Sequence, residues 1–322
     1  MHLIIDNYGV KLEVEDDKFK ISTEKEIRYA SPLKITSINI LKPCSVTTPA
    51  LALAAKNQVP VLIYSNLGKV QACIWSHQYG TIADIRLRQA FFAQNAEAIE
   101  WATYLIKLKI EGQRRNLQWL TQRVIAKKEE TGKKIGGING LLSLLQHAGT
   151  KEDIRVLEAQ ASRQYWDAIV LALEKYITIP GREKRGAADP FNICLNYLYG
   201  ILYGQTEASL IMAGLDPYMG ILHINRHAKP SLAYDHIEPF RPWADRLVME
   251  LFMQGFYKTG NFQPVSTNEV TITISGKREL INRFFSFMEQ RSYLNNKRIK
   301  NKDHLHHLSS SLVTVLKKFK LP

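Results

Sequence analysis

Val59-Pro-Val-Leu-Ile-Tyr64-Ser-Asn-Leu-Gly68-Lys-Val-Gln-Ala-Cys-Ile74-Trp75-Ser-His-Gln-Tyr-Gly-Thr81-Ile82-Ala-Asp-Ile85 is where this chain changes its period. Up to Ile74 the apolar residues come in short branched runs, and Asn66-Leu-Gly68 between two of them reads as a turn joining a strand pair. Beyond Thr81 they recur at helical spacing: Ile85, Phe92, Ile99, Leu105 and Leu108, with charges between. The expectation is an α+β chain. A small N-terminal β domain with one helix occupies residues 1–78, and a larger, mostly α-helical domain occupies 79–322, joined by a short linker.

Upstream, Leu3-Ile-Ile5, Val10-Lys-Leu-Glu-Val14, Lys18-Phe-Lys-Ile-Ser22 and Ile35-Thr-Ser-Ile-Asn-Ile40 read as strands. Thr47-Thr-Pro49 opens the one helix, because proline at a first helical position gives up no bonded N–H. Downstream, the segment from Ile82 to about Glu130 reads as two long helices broken near Gly112. Thr150-Lys-Glu-Asp153 resembles a capping box and opens a helix to about Tyr176. Asp189-Pro190 starts another, stopped by Gly214. Residues 231–255 are helical but split or kinked at Pro239 and Pro242. Glu269-Val-Thr-Ile-Thr-Ile274 reads as a lone strand, and Lys277 to Lys320 as basic helix.

Composition narrows the function. The chain has 322 residues, 45% hydrophobic and 23% charged, ordinary for a soluble globular protein. It contains no run of roughly 18 or more apolar residues, so no membrane span is expected. Its first residues lack the features of a signal peptide. Cys44, Cys73 and Cys194 are scattered and suit a reducing cytoplasm. Lys and Arg number 43 against 30 Asp and Glu, a formal charge of +13 that points to a polyanionic partner. Basic runs such as Gln113-Arg-Arg115, Lys133-Lys134 and Lys297-Arg-Ile-Lys300 fall mainly in the helical part, where neutralised phosphates would make binding salt-dependent.

Several features carry candidate chemistry, each with a plainer reading. Gly132-Lys-Lys-Ile-Gly-Gly-Ile138 is glycine-rich, but a phosphate loop would need Lys where Ile138 stands, so it is expected to be surface loop. His304, His306 and His307 could bind metal but suit a solvated helix face. Glu158 lies on the shoulder of the stripe Ile154, Leu157, Ala161, Tyr165 and Ala168, half-buried and in need of a cation, whether a salt-bridge partner or a metal. His223 ends an apolar run, either as a satisfied core histidine or as a ligand. Asp235 and Glu238 share one face if their turn is helical; with Arg241 they would equally make an ion-pair network. Two carboxylates and an imidazole in a basic protein would make a Mg2+ or Mn2+ site acting on phosphodiesters.

At these residues the chain resembles the CRISPR-associated integrase family, the larger, catalytic subunit of the spacer-acquisition complex. The resemblance covers almost the whole chain. It is most specific in Pro180-Gly-Arg-Glu-Lys-Arg-Gly-Ala-Ala-Asp189-Pro-Phe-Asn192-Ile-Cys-Leu-Asn196-Tyr-Leu-Tyr199, Ala213-Gly-Leu-Asp-Pro217, Gly220-Ile-Leu-His223 and Leu232-Ala-Tyr-Asp235-His-Ile-Glu238-Pro-Phe-Arg241-Pro242. Lys109-Ile-Glu-Gly-Gln113-Arg114 and Glu158-Ala-Gln-Ala-Ser-Arg-Gln-Tyr165-Trp166 match two further segments, with Gln160 where the family commonly has a small residue. The resemblance implies that Glu158, His223 and Glu238 hold the divalent metal and carry catalysis, with Asp235 supporting the site. It implies a β domain for dimerisation, a homodimer, a small ferredoxin-like partner and double-stranded DNA as substrate. Arg163, Arg182, Lys184, Arg185 and Arg241 are expected to contact that DNA. The implied reaction is attack of a fragment's 3′-hydroxyl on a phosphodiester at a CRISPR repeat. A non-catalytic DNA-binding scaffold of the same family, or an RNA-processing metallonuclease, stands as the alternative.

Overall fold

A computed structural model describes residues 1–76, 82–124, 127–184, 186–223, 227, 229–266 and 269–321. The chain is α+β, with strands concentrated at the N-terminus and helices beyond. β1 (His2–Ile5), β2 (Lys11–Glu15), β3 (Lys18–Ser22), β4 (Ile27–Ala30), β5 (Ser37–Ile40), β6 (Ser45–Val46), β7 (Val61–Tyr64) and β8 (Val70–Ile74) form two sheets. One has the order β1-β5-β7-β8, the other β4-β3-β2-β6. β5 and β7 are parallel, so the chain must cross over between them, and α1 (Thr48–Lys56) makes that crossover with Pro49 in its first turn. Phe19, Ile38, Leu12 and Ala54 are among the buried residues of a core local to this unit. The sequence pattern missed β4 and β6, which are four and two residues long and carry little alternation. The expected boundary at residue 78 falls on 77–81, outside the described residues.

The helical body comprises α2 (Ile82–Phe92), α3 (Glu97–Arg123), α4 (Lys128–Leu145), α5 (Lys151–Leu173), α6 (Pro190–Met212), α7 (Ser231–Ile237) and α8 (Arg241–Met253). It continues through α9 (Ile274–Glu289) and α10 (Asn301–Lys318). The capping box at Thr150 is present, with Asp153 closing it, and the Asp189 side chain caps α6. Pro239 falls in the turn between α7 and α8, and Pro242 in the first turn of α8.

Four expectations are corrected. The helix break lies before Glu97 and not at Gly112: α3 runs straight through, because Gly112 is a crossing point where a Cβ would stand 2.9 Å from Pro242 Cγ. Residues 132–138 lie inside α4 and are not a loop. The strand at 269 is not alone but pairs as β10 (Glu269–Ile272) with β9 (Phe262–Ser266). The basic C-terminal segment is interrupted by a hairpin, β11 (Arg291–Leu294) and β12 (Lys297–Lys300), which turns at Asn295-Asn296 with positive φ at both. His304 is correspondingly buried: it donates from Nε2 to the Ser292 carbonyl and meets Trp243 edge-on, while His306 is exposed.

The two parts are joined by contact as well as by sequence. α6 lies directly on the β7–β8 hairpin, since a Cβ on Gly200 would come within 2.6 Å of the Gly68 carbonyl oxygen. Beside it, Gln205 donates to Asn39 Oδ1 (2.7 Å) and Tyr64 Oη (3.0 Å), and Tyr64 donates to the same Asn39 oxygen (3.0 Å). A buried polar network with every member bonded costs little and fixes one docking geometry.

Candidate active site

α3 and α5 lie side by side with a constant offset of 49 residues. Lys109 meets Glu158, Gln113 Nε2 donates to Ser162 Oγ (3.2 Å), and Asn116 Nδ2 donates to Tyr165 Oη (2.9 Å). Positions i, i+4 and i+7 on each helix face the other, so a single polar stripe on each builds a ladder. Asn116 also donates to the Pro242 carbonyl (2.7 Å), which ties both helices to the start of α8. The Gly112–Pro242 crossing one turn away brings α3 onto the 238–240 turn, within reach of Glu238.

The result is one open cleft of about 1090 Å³ lined by Glu158, His223 and Glu238 together. Lys109 Nζ stands between the two carboxylates, in contact with Glu158 Oε1 and 2.5 Å from Glu238 Oε2. Ser162 donates to Glu158 Oε1 (2.8 Å), and Arg241 pairs with the other oxygen of Glu238 (3.1 Å). Burial would raise the Glu238 carboxyl, but the Arg241 and Lys109 charges outweigh it and hold the group at about 2. Burial likewise opposes the charge on Lys109, yet Glu238 and Glu158 lift its ammonium above the ordinary range. The Glu238 carboxylate is therefore ionised at neutral pH.

His223 reaches the cleft from the loop before α7, and Asp235 places it. The Asp235 carboxylate, fully enclosed, accepts the N–H groups of Ile221 (2.6 Å), Leu222 (2.9 Å) and His223 (2.9 Å). Its Oδ1 also lies 2.6 Å from His223 Nδ1. A carboxylate only accepts, so Nδ1 carries the proton and neutral His223 keeps its lone pair on Nε2. The imidazole itself is 43% exposed.

Two carboxylates and an Nε2 lone pair are the donors an octahedral ion of the Mg2+ or Mn2+ class accepts. A cation, the Lys109 ammonium, already occupies the gap between the two acids. Among the described residues, no three His, Cys, Asp or Glu side chains stand close enough together in this arrangement to share an ion. The donor chemistry therefore fits a divalent ion on condition that Lys109 withdraws.

The basic candidates divide. Arg163 and Lys184 are exposed on the cleft lining. Arg182 is held in place: it donates to Asn192 Oδ1 (3.1 Å) and Asn196 Oδ1 (2.7 Å) and stacks 5.2 Å from the Tyr199 ring. Arg241 is committed to Glu238 and the Tyr203 hydroxyl, with Tyr199 beneath it. Arg185 lies outside the described residues. Sequence reasoning missed Asp245, which lines the same cleft and accepts from Tyr199 (2.6 Å) and Tyr165 (3.0 Å). Burial pushes its carboxyl up to about 6, although the two tyrosine hydrogen bonds oppose the rise. It also missed Lys109 as a participant. The available signal was a lysine on the buried stripe Leu105, Lys109, Gly112 and Asn116, where an ammonium needs a partner.

Fold and cleft together define a class: a two-sheet N-terminal unit docked on a helical body that carries an acid–imidazole cleft. The family model for CRISPR associated protein Cas1 matches residues 3–285, and the chain belongs to that family. A CRISPR-associated endonuclease Cas1 of Korarchaeum cryptofilum is 28% identical over 305 residues, covering 90% of this chain and 87% of its own. One from Thermus thermophilus is 27% identical over 286 residues, covering 88% and 85%. Among solved structures, a casposase bound to integration product superposes with a TM-score of 0.81 at 23% identity, over 100% of this chain and 92% of that one. A CAS1 protein from Thermotoga maritima does so at 0.79 and 16% identity, over 100% and 98%. The chain also resembles part of a Cas6-RT-Cas1–Cas2 complex, at 0.77 and 19% identity, over 99% of this chain and 35% of that one.

Proposed function

We propose that this chain is a divalent-metal-dependent DNA endonuclease and integrase that inserts DNA fragments as spacers into a CRISPR array. Membership of a family whose curated relatives are named endonucleases supports the nuclease chemistry. The fold shared with a casposase bound to integration product supports strand transfer. The observation that carries the reading is the convergence of Glu158, His223 and Glu238, from three separate elements, on one open cleft.

Glu158 and Glu238 would supply oxygens and His223 its Nε2 to one Mg2+ or Mn2+. When bound, that ion supplies charge to polarise the scissile phosphate and to stabilise the leaving oxygen. The rest is work of the chain. Asp235 holds His223 in the tautomer that presents Nε2. Arg163 and Lys184 meet the incoming phosphates, and Arg182, fixed by its two asparagines, offers a preset cation at the cleft wall. No side chain becomes covalently attached, since the fragment's 3′-hydroxyl is the nucleophile. With water in its place the same site cuts DNA.

Partners follow from the same reading. The assembly of one solved likeness with Cas2 supports a Cas2-type adaptation subunit as partner. The family resemblance adds that this subunit is small and ferredoxin-like and that the chain acts as a homodimer, and the scattered cysteines suit the cytoplasm. No helix among the described residues is long and apolar enough to cross a membrane. The test is metal-dependent joining of a duplex with free 3′-hydroxyl ends to plasmid. Glu158→Ala and Glu238→Ala are expected to abolish joining while DNA binding persists. Joining at the wild-type rate by either variant would overturn the assignment.

A further inference from the structure

Lys109 lies at the centre of the cleft, and the metal reading does not use it. Its side chain is 8% exposed, on a helix stripe that otherwise packs against α5 and the 238–242 turn. An ammonium is seldom buried without compensation. Here the compensation is the same pair of carboxylates assigned to the ion: Glu158 Oε1 and, at 2.5 Å, Glu238 Oε2. The second cation nearby, Arg241, takes only Glu238 Oε1, so it leaves Oε2 to Lys109. Divalent ions of this class lie about 2.0–2.2 Å from their oxygens. An ion bound to both carboxylates would occupy the gap in which the Lys109 ammonium stands, so the two cations compete for one place.

We propose that Lys109 is a tethered counter-cation that holds Glu158 and Glu238 together before metal arrives and must be displaced for the ion to bind. The inference rests on the metal reading of the site. Two carboxylates facing one another across a gap repel, and without a cation between them they would swing apart. The lysine therefore keeps the pair assembled, and it competes for the same oxygens. Its flexible four-carbon stem, on the lining of an open cleft, lets the ammonium leave the gap without leaving the site. Displaced, it adds a positive charge beside the ion, where a DNA phosphate would enter. Lys109 is thus a positioning residue that sets the threshold for metal.

The test is Mn2+ binding to the full chain without DNA, by calorimetry and by the electron paramagnetic resonance of free Mn2+. Lys109→Gln and Lys109→Met are expected to bind Mn2+ about tenfold more tightly than wild type, because the ion no longer evicts a resident charge. Without metal both variants should melt below wild type, and saturating Mn2+ should raise their Tm by more than it raises that of wild type. Equal or weaker Mn2+ binding by a folded variant overturns the proposal. Should neither variant fold, the wild-type chain still decides. Its Lys109 15N-ammonium resonance, assigned through Lys109→Arg, is expected to shift as Mg2+ saturates the site, and an unmoved signal overturns the proposal. Binding lost in Glu158→Ala but unchanged in Lys109→Gln defeats this proposal alone. Wild-type chain that binds no Mn2+, or binds it equally in Glu158→Ala, defeats the metal reading itself and this proposal with it.

Discussion

Asp235 is predicted to be the structural anchor of the site and His223 its chemical arm, and the two roles separate by mutation. Replacing Asp235 with alanine removes four acceptor contacts at once, three to backbone N–H groups and one to the imidazole. Ile221 and Leu222 are buried, so their N–H groups would lose their partner with little water to replace it. Leaving a buried donor unmet costs about 1–3 kcal/mol each, so these two with a smaller term for His223 come to about 3–5 kcal/mol. For a chain this long, roughly 2 °C per kcal/mol gives a Tm lowered by about 6–10 °C. His223→Ala leaves the three backbone contacts intact and deletes a ring already 43% exposed, so its cost should stay under about 1 kcal/mol. Both variants should fail in metal-dependent strand joining. The assays are thermal melting by circular dichroism and joining of a labelled duplex to plasmid. If Asp235→Ala melts with wild type, or His223→Ala is destabilised as much as Asp235→Ala, the division of labour argued from the geometry is wrong.

Three further outcomes follow. Asp245 ionises near 6 in the fold and near its ordinary value of about 3.9 when unfolded, so between those pH values only the folded state keeps the proton. Relative to Asp245→Asn, wild type should therefore lose about 2–3 kcal/mol of stability as pH rises from 4 to 6 and then level off; parallel pH profiles in urea denaturation would refute the placement. Lys184→Ala should reduce the slope of log K against log salt for duplex binding by about 0.9, the share of one phosphate contact, and an unchanged slope would remove Lys184 from the interface. Gly200→Ala should loosen the seat of α6 on the β7–β8 hairpin by about 1–3 kcal/mol, because its Cβ meets a backbone carbonyl that cannot yield. Gly132→Ala in α4, with open space around its Cβ, should instead gain up to about 1 kcal/mol, and melts that rank the two the other way would contradict the close packing.

How much of this was legible beforehand depends on how local each signal is. The change of period after Ile74 shows in neighbouring residues, and so do the caps at Thr150 and Asp189, because capping and periodicity act within a few positions. Gly112 misled because a glycine in a helical pattern reads as a break, whereas Pro242, the reason for it, stands 130 positions away in sequence. The strands β11 and β12 were hidden in a basic stretch, their register set by Asn295-Asn296 rather than by alternation. At the site, Glu158, His223, Asp235 and Glu238 were named from their neighbourhoods and their resemblance to a family. The Asp235–backbone cradle and the Lys109 bridge were not, since each joins atoms brought together only by tertiary packing. Arg241, expected on DNA, is drawn inward by Glu238 and Tyr203, an ion pair that the spacing of the two residues had allowed.

The central claim is that Glu158, His223 and Glu238 hold one divalent ion. Crystals soaked in Mn2+ and measured at the manganese absorption edge test it most directly. The account predicts a single anomalous peak in the cleft, in contact with both carboxylates and with His223 Nε2, and Lys109 withdrawn from between the acids. No peak there, or a peak held by other residues with the Lys109 bridge intact, would contradict it.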